Sequence, residues 1–204
     1  LHDYGINNPD IHPSMSLCLG PCEMTVAEMV SAYTTFANRG IRTAPMFVSR
    51  IEDNEGNVIT SFQPRMNEVI SEESANKMLV LLKGVVDGGT AGRLRYKYNF
   101  TGEMGGKTGT TNRNSDAWFM GFTPQLVSGC WVGGDDRDIH FDSMRMGQGA
   151  TMALPIWAYF MKKVYRDKTL PYDPNAKFDL PEGFDGCSHN AEDDMEYGID
   201  EVYE

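Results

Sequence analysis

Apolar residues recur along this chain with two different periods. Val26, Met29, Val30, Tyr33 and Ala37 fall on one side of a helix, and Thr25 with Glu28 three residues later forms a capping box at its start. Gly40 lies just beyond its end. A second stripe, Ala75, Met78, Leu79, Leu82, Val85 and Val86, follows Ser71. Glu72 and Glu73 suit the positive end of that helix, and Gly88-Gly89 stops it. A third helix begins around Pro155, with Ile156, Trp157, Phe160, Met161 and Val164 on its apolar side. All three stripes predict faces turned to a core.

Between the first two helices, residues 46–52 and 57–62 predict strands joined by the turn Asp53-Asn54-Glu55-Gly56. From Met104 onward the pattern shortens to strands separated by tight polar connections: residues 104–110, 117–122 and 126–132. The middle segment is almost continuously apolar, as expected of a central strand buried on both faces. The prediction is an α+β fold in which a three-strand antiparallel meander packs against helices. Residues 1–167 form its body. Residues 168–204 form an irregular extension, spaced by Pro171, Pro174 and Pro181, that leads into an acidic tail.

Composition adds little until charge is located. The net charge is −11, but residues 182–204 carry nine Asp or Glu and no Lys or Arg, which leaves 20 acids against 18 bases in residues 1–181. The acidity belongs to the tail, a composition expected of a solvated, mobile extension. No basic stripe is present to hold phosphates, so nucleic acid is not an expected partner. No apolar run approaches the ~20 residues that span a bilayer. The chain opens at Leu1 with no export signal, so it is expected to be a piece of a longer protein, with any membrane anchor upstream. Cys18 and Cys22 are one residue too far apart for a C-x-x-C motif and allow either free thiols or a local disulfide. Cys187 and His189 are too few for a zinc site, and Cys130 stands apart; neither a metal nor another cofactor is expected.

The segment with candidate chemistry is Glu103-Met104-Gly105-Gly106-Lys107-Thr108-Gly109-Thr110. Three glycines in eight residues make a poor strand on propensity, and glycine within a strand often marks a close approach by another backbone or a ligand. Thr108 and Thr110 share a face, and Lys107 adds a positive charge. Two hydroxyls and an ammonium suit a carboxylate, while an exposed edge could accept an extended peptide as an added strand. A plain surface strand explains the same residues equally well. A phosphate-binding P-loop does not: its first glycine would fall at Thr101, and the residues after Gly109 are hostile to the helix it must open.

Flanking motifs break that tie. Residues 106–112 (GKTGTTN), 116–124 (DAWFMGFTP) and 131–136 (WVGGDD) together closely resemble the end of a penicillin-binding transpeptidase domain. Ala32-Tyr33-Thr34-Thr35-Phe36-Ala37-Asn38-Arg39-Gly40 upstream and Ala153-Leu154-Pro155-Ile156-Trp157 downstream extend the resemblance, which is strongest to the bifunctional class A proteins. It implies a partial penicillin-binding-protein/β-lactamase-like fold in the bacterial cell envelope, on the periplasmic face of the inner membrane. It also implies a serine acyl-enzyme that cross-links peptidoglycan stem peptides ending in D-Ala-D-Ala and is acylated by β-lactams. By resemblance, Lys107 supplies positive potential, and the Thr108 and Thr110 hydroxyls hold the substrate carboxylate. The Thr110 backbone N–H gives half of an oxyanion hole, and Gly106 and Gly109 permit close approach.

The family's S-x-x-K and S-x-N elements precede K-T-G, so the nucleophile is expected upstream of Leu1. Ser74-Ala75-Asn76-Lys77 matches both as strings, but Lys77 lies roughly 140° from the centre of its helix's apolar stripe. A catalytic lysine needs burial or cationic neighbours, and Glu72 and Glu73 push the other way. Ser188-His189-Asn190 sits in the acidic tail, after K-T-G. The chain alone is therefore expected to be inactive, with an exposed 104–110 edge able to pair with another copy. The alternatives are a non-catalytic module that recognises peptidoglycan peptides, or another active-serine hydrolase such as a carboxypeptidase or β-lactamase.

Overall fold

A computed structural model describes residues 1–182 and residue 184. Its first long helix, α1 (Val26–Ala37), starts as its sequence predicts. The Glu28 N–H donates to Thr25 Oγ1 at 3.1 Å, and the Thr25 N–H donates to Glu28 Oε2 at 2.8 Å. The predicted stripe is only half-buried, however, and the fully buried residues are Ser31, Ala32 and Thr35. The cause is a strand pressed against that side. In β1 (Ile41–Thr43) the Thr43 carbonyl accepts from Ser31 Oγ at 2.7 Å, and its N–H donates to Thr34 Oγ1 at 2.8 Å. So close an approach selects small polar residues that a hydrophobic count passes over.

β1 pairs with β4 (Met66–Glu68), a contact the sequence pattern does not reveal. The two predicted strands between them shrink to β2 (Arg50–Glu52) and β3 (Val58–Ser61), a hairpin exposed on both faces. Its alternation has no core to face, so the ladder ends where the turn's influence ends.

Ser71 caps α2 (Glu72–Asp87) by accepting the Ser74 N–H at 3.2 Å. This helix joins two cores. Leu79 and Leu82 pack with Phe122, while Val86 packs with Phe119, Trp157 and Leu94 of the short helix α3 (Arg93–Tyr96). Met78 and Val85 of its predicted stripe are half-buried.

The meander forms as predicted: β5 (Gly105–Thr110), β6 (Asp116–Phe122) and β7 (Val127–Gly133), with β6 central. After the short helix α4 (Met144–Gly147), α5 (Ala153–Arg166) covers one face of the sheet, and α1 lies on the other. α5 buries Ala153, Leu154, Trp157, Ala158, Met161 and Val164, whereas Ile156 and Phe160 are exposed at 52% and 46%. The helix is thus rotated from the predicted face, because the sheet comes close enough to need alanines at 153 and 158. Gly121 makes the same allowance from the sheet side: a Cβ there would lie 2.5 Å from the Trp157 ring.

Residues 168–182 contain neither helix nor strand, yet they pack against the fold. The Phe178 ring meets Phe122 edge-on at 5.7 Å, its N–H donates to Glu103 Oε2 at 2.8 Å, and Leu180 lies against the Leu79–Leu82 core. Cys18, Cys22 and Cys130 are free thiols in this structure, with no bridge between Cys18 and Cys22. Cys187, His189, the Ser188-His189-Asn190 string and the rest of the acidic tail lie outside the described residues.

Candidate functional site

The position of each group on β5 follows from the register of the ladder. Thr111 donates to the Asp116 carbonyl at 3.1 Å, and the pairs behind it run Thr110–Ala117, Gly109–Trp118, Thr108–Phe119 and Lys107–Met120. Bonded and non-bonded pairs alternate in an antiparallel ladder. Gly105, Lys107 and Gly109 therefore bond to β6, while Gly106, Thr108 and Thr110 direct their N–H and C=O groups to the free edge. The Thr110 N–H predicted as an oxyanion donor is on that edge. None of the Thr108 or Thr110 backbone groups takes a further backbone partner among the described residues.

Side chains alternate as well. Thr108 and Thr110 lie opposite Phe119 and Ala117, on the sheet face that α5 covers, and Lys107 lies opposite Met120 on the face that α1 covers. The ammonium nevertheless reaches the edge: Lys107 Nζ donates to the Thr108 carbonyl at 3.0 Å. Edge amide, edge carbonyl, two hydroxyls and a cation thus converge on four consecutive residues. Gly105 and Gly106 are buried, so only the stretch from Lys107 to Thr110 is open, a shorter edge than expected.

The glycines serve the packing of the sheet itself. A Cβ at Gly106 would lie 2.7 Å from the Met120 carbonyl oxygen and 2.9 Å from the Phe119 ring. Gly109 leaves room for a loop to descend on the strand, and a Cβ on Gly149 of that loop would lie 2.5 Å from the Gly109 oxygen.

Two groups outside the motif hold its hydroxyls. Thr90 Oγ1, in the turn after α2, lies 2.8 Å from Thr108 Oγ1, and the Gly149 N–H donates to Thr110 Oγ1 at 3.1 Å. Arg93 Nη1 donates to the Ala150 carbonyl at 3.2 Å and so ties the two supporting turns together. Sequence reasoning missed Thr90 and Gly149. The Gly88-Gly89 pair announces a turn, but no pattern in the chain links residue 90 to 108 or residue 149 to 110.

The β5–β6 turn is pinned by Asp116. Its Oδ1 accepts from Trp131 Nε1 at 2.9 Å, and its Oδ2 accepts from Thr111 Oγ1 at 2.9 Å and Ser115 Oγ at 3.1 Å. Burial opposes ionisation of this carboxyl, but those hydrogen bonds, with the positive charge of Arg137, outweigh it and hold its pKa below the ordinary value. The turn passes through left-handed backbone at Arg113 and Asn114 (φ 62° and 59°) and returns as a strand, not the helix a P-loop requires.

Ser74 and Lys77 stand apart from this site. Both are exposed near the start of α2, and the helix runs about 20 Å from Ser74 to its end beside Thr90. Lys77 Nζ lies 2.8 Å from Glu73 Oε1, an i,i+4 pair on the solvent side. Two surface clefts, about 270 and 300 Å3, lie elsewhere: between the 98–102 segment and α5, and between α1 and the turn before β7. The candidate site is an open edge. Among the described residues, no three His, Cys, Asp or Glu side chains gather as metal ligands, and no helix is long and apolar enough to cross a membrane.

Comparison with known proteins points the same way as this geometry. The family model for the penicillin binding protein transpeptidase domain matches residues 5–129. Penicillin-binding protein 1A of Aquifex aeolicus is 37% identical over 177 residues, which is 87% of this chain and 23% of that protein. The namesake from Neisseria meningitidis is 34% identical over 171 residues, 81% of this chain and 21% of its own length. The chain thus spans less than a quarter of these relatives. Among solved structures, penicillin-binding protein 1A of Haemophilus influenzae superposes with a TM-score of 0.77 at 28% identity, covering 89% of this chain and 31% of that one. Mycobacterium tuberculosis PonA1 in complex with penicillin V gives 0.72 at 25% identity, covering 92% and 52%. An open strand edge bearing K-T-G-T, on a fold shared with class A proteins, has one family behind it: the chain belongs to the penicillin-binding-protein transpeptidase domains.

Proposed function

We propose that this chain is the substrate-binding part of a serine D,D-transpeptidase whose nucleophile lies in upstream sequence of a longer, bifunctional cell-envelope protein. The observation that carries the proposal is the free edge of β5. There the Thr110 N–H, the Thr108 carbonyl and the Lys107 ammonium meet, with no competing strand among the described residues. An extended stem peptide ending in D-Ala-D-Ala could add to that edge by main-chain hydrogen bonds. Its terminal carboxylate would accept from the Thr108 and Thr110 hydroxyls. The Thr110 N–H would stabilise the oxyanion that forms when an upstream serine attacks the penultimate carbonyl. A β-lactam presents the same carboxylate and a reactive carbonyl, in keeping with the penicillin V bound by the PonA1 relative. A glycosyltransferase domain, a membrane anchor and a periplasmic location belong to the remainder of the parent protein. The reading as a non-catalytic peptide-recognition module uses the same edge and differs only in that remainder.

A fluorescent β-lactam followed by denaturing electrophoresis tests the placement of the nucleophile. This chain alone should take no covalent label. A labelled band, lost in Ser74→Ala, would move the nucleophile into α2 and overturn the proposal.

A further inference from the structure

Each substrate-facing hydroxyl of the β5 edge has a second group behind it, and the polarity of those pairs determines what the edge can bind. A hydroxyl has one proton to donate and two lone pairs to accept with, whereas a carboxylate only accepts. To hold a carboxylate, Thr108 and Thr110 must both spend their protons on it. The Thr110 proton is left free for this, because the group behind the hydroxyl is the Gly149 N–H, which can only donate. Thr108 is backed by the Thr90 hydroxyl at 2.8 Å, where either oxygen could supply the proton. Once a carboxylate takes the Thr108 proton, only one arrangement remains: Thr90 donates to Thr108, and Thr108 donates to the ligand.

We propose that Thr90 is a positioning residue that, like the Gly149 N–H for Thr110, turns its threonine partner into a donor and so selects a free carboxylate over a carboxamide at the substrate terminus. This rests on the assignment of the β5 edge as a D-Ala-D-Ala site and names a determinant of its specificity outside the K-T-G strand. The spacing fits. Residues two apart on one strand face are separated by about 6.7 Å, close to what a carboxylate spans with one ~2.7 Å O–H···O bond on either side. Chained hydroxyls also polarise one another, so removing the rear donor weakens the front bond even though Thr90 need not touch the ligand. Thr90 is well placed for substitution. It is exposed, and its turn is held by backbone bonds, Ala91 N–H to the Val85 carbonyl and Gly92 N–H to the Gly89 carbonyl, both at 3.0 Å.

The test is a titration of the 15N-labelled chain with an N-acetylated Lys-D-Ala-D-Ala peptide and with its C-terminal carboxamide, following the Thr108 and Thr110 amide resonances. The wild-type chain should bind the acid more tightly than the amide. Thr90→Val keeps the shape and removes the donor. It should weaken binding of the acid about threefold to tenfold, the order expected for a hydrogen bond between neutral groups, and change binding of the amide by less than twofold. Thr90→Ser should restore the preference. Unchanged affinity for the acid in Thr90→Val, with dispersed spectra, would overturn the proposal. So would an equal loss for both peptides, which is what a purely structural role gives. If neither peptide perturbs Thr108 or Thr110 in the wild-type chain, the carboxylate-site assignment itself fails and takes the proposal with it.

Discussion

Asp116 shows how much of this site is decided by single side chains. It accepts three hydrogen bonds, from Trp131, Thr111 and Ser115, and so fixes where β5 ends and β6 begins. Its folded pKa is depressed. The stability it contributes is therefore fully present above the unfolded value, near 3.9, and is lost as pH falls through the lower folded value. Asp116→Asn replaces one acceptor oxygen with a donor that faces other donors. It should cost about 1–3 kcal/mol near neutral pH, and the gap to wild type should narrow as pH falls below about 3.9. Urea midpoints measured from pH 7 to pH 3 check this, and a gap that stays constant with pH would contradict it. Lys107, Thr108 and Thr110 were legible in sequence because K-T-G is a short contiguous string among ordered neighbours. Their supports were not. Thr90 and Gly149 meet the strand from 18 and 39 residues away, and a threonine after a glycine pair reads only as a turn.

At the scale of elements, starts and stops were legible and faces were not. Caps at Thr25 and Ser71 act within three residues and appear directly in the sequence. Which side of a helix is buried depends on what approaches it. Ser31, Ala32 and Thr35 of α1, and Ala153 and Ala158 of α5, are buried because β1 and the meander come close, and that proximity demands small residues. β1 and β4 escaped notice because three-residue strands carry no alternation to count. The edge of β5 belongs to this scale too. Its open stretch from Lys107 to Thr110 ends at buried glycines, so association with another copy has about four residues of ladder to use. Size-exclusion chromatography should show a larger species that grows with protein concentration. A monomer at every concentration would rule out pairing through this edge.

Over the whole molecule, the sequence conveyed the α+β class, the three-strand meander and the family, because several motifs stand in one order along the chain. Residues 168–182 looked like an extension, yet Phe178 closes over Phe122 and Leu180 packs beside α2, contacts that an irregular, proline-spaced segment does not advertise. The central claim is that the open edge of β5 is where this fold receives its substrate. Mapping the backbone amide resonances of the chain during titration with an N-acetylated Lys-D-Ala-D-Ala peptide tests it most directly. The account predicts that the largest shifts fall at Lys107–Thr110 and at Gly149, with little change along the exposed start of α2. Shifts centred instead on the cleft between the 98–102 segment and α5, with the β5 edge unmoved, would contradict it.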